Sequence, residues 1–107
     1  MTNKKIYIAG KITGLPVEVY TKNFEKSCEY LLEQGYDTVN PVEVCEQTCI
    51  SDWRECMGVC LYEITQCDGI YMQRDWQSSV GARLELQVAL AIYDRYPDFI
   101  IMFEGEV

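Results

Sequence analysis

"GIYMQRDWQSSVGARLELQVALAI", Gly69 to Ile92, is the stretch whose reading decides the fold. "GIYM" is a short apolar run of strand length, "QRDWQSS" a polar loop, and from Ser79 or Val80 apolar residues recur at helical spacing. A strand leading straight into a helix of this kind is the building unit of a parallel sheet. The helix carries an anomaly. At ~100° per residue, Glu85 shares its face with Ser78, Gly81, Ala82, Val88, Ala89 and Ile92, while Arg83 and Gln87 point the other way. An ionised carboxylate on an apolar face costs several kcal/mol unless it is paired or hydrogen-bonded. Either a partner sits opposite Glu85, or the small Gly81 and Ala82 leave room for something. Periodicity alone equally allows a half-exposed Glu at the edge of a helix packed on a sheet.

The flanking chain repeats the pattern. "KIYIAG" (Lys5–Gly10) is a first strand and "KITGLP" its turn. Val17, Tyr20, Phe24, Cys28, Leu31 and Leu32 recur at helical spacing from Val17 to Gln34, and Gly35 supplies the stop. "YDTVNP" is a brief second strand closed by Pro41. Residues 42 to 50 give no clear pattern. Asp52 with Glu55 resembles a capping box and opens a helix through Met57, Leu61 and Ile64 to about Gln66; "DFIIMF" (Asp98–Phe103) is a fourth strand. The expectation is an α/β fold: a three-layer, flavodoxin- or Rossmann-like parallel sheet of four to five strands with helices on both faces, and residues 1–107 as one domain.

Composition narrows the function. The net charge of −8, from nine basic and seventeen acidic residues, leaves no basic stripe for a nucleic-acid polymer. A small anion needs only backbone N–H groups and one or two cations. Histidine is absent, which excludes imidazole acid–base chemistry, His-activated nucleophiles and His-ligated zinc. No apolar run approaches a membrane span and none has the form of a signal peptide, so a cytoplasmic protein without a membrane partner is expected. Cys45-x3-Cys49 and Cys56-x3-Cys60 depart from the usual Cys-x2-Cys zinc knuckle. The six cysteines are therefore expected as reduced, small core residues, with no metal and no cofactor.

In an open doubly wound sheet the ligand crevice lies beyond the carboxyl ends of the strands, where strand order reverses. If the first and third strands flank that point, "GKITG" faces "QRDWQSS", and Glu85 looks into the crevice between them. Gly10 and Gly14 would let backbone approach a ligand. Ser78 and Ser79 would bring hydroxyls to a helix amino terminus that favours an anion such as phosphate. Tyr7 and Trp76 are candidates for stacking on a flat base, although aromatics more often serve as core or rim.

"IYIAGKITGLP", "VNP", "DWRECMGVCLYEITQCDGIYM" and "SSVGARLEL" together resemble the nucleoside 2-deoxyribosyltransferase-like superfamily, specifically its short DUF4406-type branch of bacteria and phages. Ser79-x-Gly81-x3-Glu85-Leu86, with Ala89 beyond, is the most specific piece. The resemblance implies that Glu85 is the nucleophile in a double displacement at a sugar anomeric carbon. A nucleoside or nucleoside 5′-monophosphate would be the substrate, with Tyr7 and Gly10 matching the family's sugar-side wall and Ser79 its 5′-phosphate position; Lys11, Trp76, Ser78 and Gly81, from the reading of the loops and the start of the helix, complete the expected binding site. It further implies a homo-oligomer. Where the family carries an aspartate in the middle helix, this chain has Cys60 followed by Leu61, with Asp68 further on. Asp68 is expected to end the helix or start the third strand, leaving Asp75 as the nearest spare acid. The alternative is a protein that binds a nucleotide-like ligand in the same crevice without turnover.

Overall fold

The computed structural model describes residues 3–47 and 52–105. Its elements run β1 (Lys5–Ala9), α1 (Val17–Glu33), β2 (Asp37–Val39), α2 (Pro41–Gln47), α3 (Trp53–Thr65), β3 (Gly69–Met72), a 3-10 turn at Trp76–Ser78, α4 (Val80–Arg95) and β4 (Ile100–Phe103). The four strands form one parallel sheet in the order β2-β1-β3-β4.

The strands read as continuous apolar runs because the sheet is covered on both faces. Ile6 and Ile8 of β1 and Tyr71 of β3 pack with Phe24 and Leu31 of α1. Tyr7 and Ala9, with Ile70 and Met72, point the opposite way into a core shared with Cys60 and Ile64 of α3 and Ala82, Leu86 and Ala89 of α4. This is the three-layer arrangement expected from the alternation of elements, with four strands.

Local chemistry sets the element ends. Gly35, at φ 91°, adopts the left-handed conformation that stops α1, and the Tyr36 N–H returns to Leu31 O at 3.0 Å. The Asp52 carboxylate accepts the N–H groups of Arg54 (2.8 Å) and Glu55 (3.2 Å) at the start of α3. Ser79 Oγ accepts the Ala82 N–H at 3.1 Å and opens α4. Helix α2 lies where the sequence showed no pattern. Its signal was the pair Asn40-Pro41: the Asn40 side chain accepts the Val42 N–H at 3.0 Å, and Pro41 occupies the first helical position.

Asp68 lies immediately before β3, away from the site. Its carboxylate accepts the Lys5 N–H at 2.8 Å and its own N–H donates to Lys5 O at 2.8 Å, clamping β1 to β3 at the amino end of the sheet. Between β1 and β3 the strand order reverses. The carboxyl ends of these two strands therefore open onto the crevice predicted for a doubly wound sheet.

Candidate functional site

At that crevice lies a cavity of about 550 Å³, bounded by the turn after β1, the face of α3 and the first turns of α4. Gly10, Lys11, Ser78, Ser79, Gly81 and Glu85 all line it, so the structure brings together most of the residues singled out from sequence. Cys60 and Met57 of α3 form the opposite wall.

Glu85 is 5% exposed and is not the half-exposed rim residue that periodicity alone also allowed. Its partner is Tyr7, whose hydroxyl donates to the Glu85 carboxylate. Burial raises the Glu85 carboxyl to about 7, and the Tyr7 hydrogen bond pulls against that rise by favouring the charged form. Tyr7 is itself fully buried, and burial together with the neighbouring Glu85 charge raises its phenol well above the usual value. Burial likewise lifts the Cys60 thiol to about 11, despite its hydrogen bond with Tyr7. Cys60, Tyr7 and Glu85 thus make a small buried relay with one titration near neutrality, that of Glu85.

Several expectations change. Tyr7 stands behind Glu85 and does not line the cavity: β1 is buried on both faces, and Tyr7 points between α3 and α4. Trp76 packs on Phe103, with ring centroids 5.9 Å apart, and is also absent from the cavity wall, so it offers no platform there. The aromatic at the cavity is Trp53, half exposed at the start of α3. Sequence reading passed over it as the residue following a helix cap. Asp75 faces away, lining a second cavity of about 670 Å³ between α1 and the ends of β3 and β4. Its carboxylate accepts the Lys11 N–H at 3.1 Å and so ties the two facing loops together. It serves as a strut, and Glu85 is the one carboxylate among the described residues lining the first cavity.

Gly10 has a packing reason besides ligand access. A Cβ there would lie 2.9 Å from Cδ of Gln73, a residue only 2% exposed whose side chain accepts from Ser27 Oγ at 2.7 Å. Gly81 is different: a Cβ would meet Met57 Sδ at 3.5 Å, an ordinary contact, so glycine here widens the cavity instead of relieving a clash.

The cysteines also depart from the expected row of reduced core thiols. Cys45 of α2 and Cys56 of α3 are joined as a disulfide, while Cys28, Cys60 and Cys67 remain thiols. Cys49 lies outside the described residues. The pairing was not legible because it depends on α2, whose helical register the sequence left open.

Fold and site together define a parallel α/β protein with a buried carboxylic acid at the strand-order reversal. The chain belongs to the family described as "Domain of unknown function (DUF4406)", which matches residues 4–95. No curated protein and no solved structure matches it at a significant level. Among the described residues no helix is long and apolar enough to cross a membrane.

Proposed function

We propose that the protein cleaves or exchanges an N-glycosidic bond of a nucleoside or nucleoside 5′-monophosphate, with Glu85 as nucleophile. The observation that carries this reading is a buried carboxyl group, oriented by Tyr7, on the wall of a cavity large enough for such a ligand. Glu85 Oε would attack C1′ as the C1′–N bond breaks and the electron pair leaves with the base. Water or a second base would then displace Glu85 from the glycosyl-enzyme. A carboxylate in a dry wall also stabilises the oxocarbenium-like charge that develops at C1′. The Tyr7 hydroxyl holds the carboxylate in place and disperses its charge before attack.

Lys11 and the Ser78 and Ser79 hydroxyls, beside the amino terminus of α4, provide the means to hold a 5′-phosphate. Trp53 offers a ring for the base. In this account Asp75 supplies no proton, and the Cys60 thiol at about 11 is a weak acid, so the leaving base takes its proton from solvent. A small-molecule substrate, a cytoplasmic setting and a homo-oligomer accompany the reading.

Incubation with a panel of nucleosides and nucleoside monophosphates, followed by chromatography for free base, tests it. Turnover by the wild type and its loss by several orders of magnitude in Glu85→Gln, with binding retained, is the expected result. The lack of a second acid among the described residues lining the cavity favours one other reading, a nucleotide-binding protein without turnover. Binding of the same ligands with no base released by the wild type would select it.

A further inference from the structure

Three sulfurs converge on the α3 side of the cavity. Cys56 and Cys60 are one helical turn apart on α3, and Cys45 reaches them from α2; the three Sγ atoms all lie within 4.8 Å of one another. Cys45 Sγ and Cys60 Sγ are 3.9 Å apart. Tetrahedral zinc, with Zn–S bonds of ~2.3 Å, holds its sulfur ligands about 3.8 Å from one another. The Cys45–Cys60 spacing, that of a sulfur–sulfur hydrogen bond, already matches that value.

We propose that in the reduced protein Cys45, Cys56 and Cys60 form a three-thiolate site for a thiophilic divalent cation of the zinc type, with the Cys45–Cys56 disulfide as its oxidised, metal-free alternative. The Cα atoms of Cys45 and Cys56 are 5.9 Å apart, so their sulfurs can separate to ligand spacing by rotation about Cα–Cβ bonds, with the helices left in place. Reduction consumes two electrons and two protons from a dithiol, which becomes a disulfide, and frees the two sulfurs. The cation then displaces one proton from each of three thiols and leaves a site with a net charge of minus one. Cys56 and Cys60 line the cavity, so the fourth coordination position falls to water or to a molecule within it. Because each thiol gives up its proton on binding, loading strengthens as pH rises. The inference does not depend on the proposed glycosidic chemistry, since it rests on sulfur geometry alone.

The full chain, reduced with a phosphine and freed of metal, is titrated with zinc against a chromophoric chelator and separately with cobalt. One zinc per chain is expected, with thiolate-to-cobalt charge-transfer bands and the visible bands of tetrahedral cobalt. Cys45→Ser, Cys56→Ser and Cys60→Ser should each weaken binding by at least about 100-fold, the upper range for losing a mere outer partner of a metal ligand. Cys28→Ser and Cys67→Ser should bind as the wild type does. Circular dichroism confirms which variants are folded, and Cys60→Ala repeats the test where Cys60→Ser is not. The oxidised protein should take up no cation. Wild-type protein that binds less than one equivalent, octahedral cobalt spectra, or undiminished binding by folded Cys60→Ser would each overturn the proposal.

Discussion

Replacing Glu85 with Gln should stabilise the protein above neutral pH and do almost nothing below pH 4.5. The Glu85 carboxyl has an ordinary value of 4.5 and is raised to about 7 in the fold, chiefly by burial. Because the folded value is the higher one, its contribution to stability is fully present below pH 4.5 and is lost as pH rises through 7. The difference of 7 − 4.5 units, at ~1.36 kcal/mol each, makes ionisation of Glu85 cost about 3 kcal/mol above pH 8. Gln is close to Glu in shape and its carbonyl can still accept from Tyr7, so the variant removes the charge with little change in packing. Urea melts of both proteins across pH 4.5 to 8.5 measure the effect. The stability difference should grow from near zero to about 3 kcal/mol, equivalent to ~10–20 °C in Tm for a domain of this size. A difference independent of pH, or Glu85→Gln less stable than wild type at pH 8, would refute a buried, charge-strained carboxyl and remove the physical basis for the nucleophile.

Base release should have an acidic limb in kcat/KM near pH 7, because the attacking carboxylate must be ionised; a profile flat from pH 5 to 8 would contradict Glu85 as nucleophile. Nucleoside 5′-monophosphates should raise Tm more than the corresponding nucleosides at equal concentration, and Lys11→Ala should abolish the difference, as differential scanning fluorimetry can show. Gly10→Ala should destabilise the fold by about 1–3 kcal/mol in chemical denaturation, since its Cβ meets the buried Gln73 side chain; Gly10→Ala with Gln73→Ala should recover much of that loss.

The legible features were those whose physics is local. Asp52 was readable as a helix cap, Ser79 or Val80 as a helix start, Gly35 as a stop and the β runs as strands, because each depends on neighbours within a few residues. Glu85 was conspicuous because a helix wheel makes a misplaced charge visible. Its partner was not, since β1 is buried on both faces and alternation cannot say that Tyr7 reaches α4. Asp75 and Trp76 were assigned to the crevice as members of a facing loop, but the 3-10 turn at Trp76–Ser78 presents them to Lys11 N and Phe103 instead. Gln73 looked like the first polar residue of that loop, yet it is buried by continuing β3 past its last apolar position: its N–H donates to Ala9 O at 2.8 Å. The sulfur cluster was set aside on its spacing, because two helices must be placed before Cys45, Cys56 and Cys60 can meet.

The sheet order also implies a sequence of events in time. Ile6 of β1 pairs with Thr38 across a loop of 38 − 6 residues and with Gly69 across one of 69 − 6, close to twice as long. Doubling a loop adds only ~0.6 kcal/mol to closure, so the two pairings differ little in cost, but the shorter leaves one helix to organise and the longer leaves two more. The amino-terminal β1-α1-β2 unit is therefore the expected nucleus, with β3 and α4 expected to dock onto it afterwards. Docking is the step that brings Glu85 to Tyr7 and creates the cavity wall. A ligand bridging Lys11 and Ser79 would hold together the last seam to close, and its clearest kinetic signature would be a slower rate of unfolding.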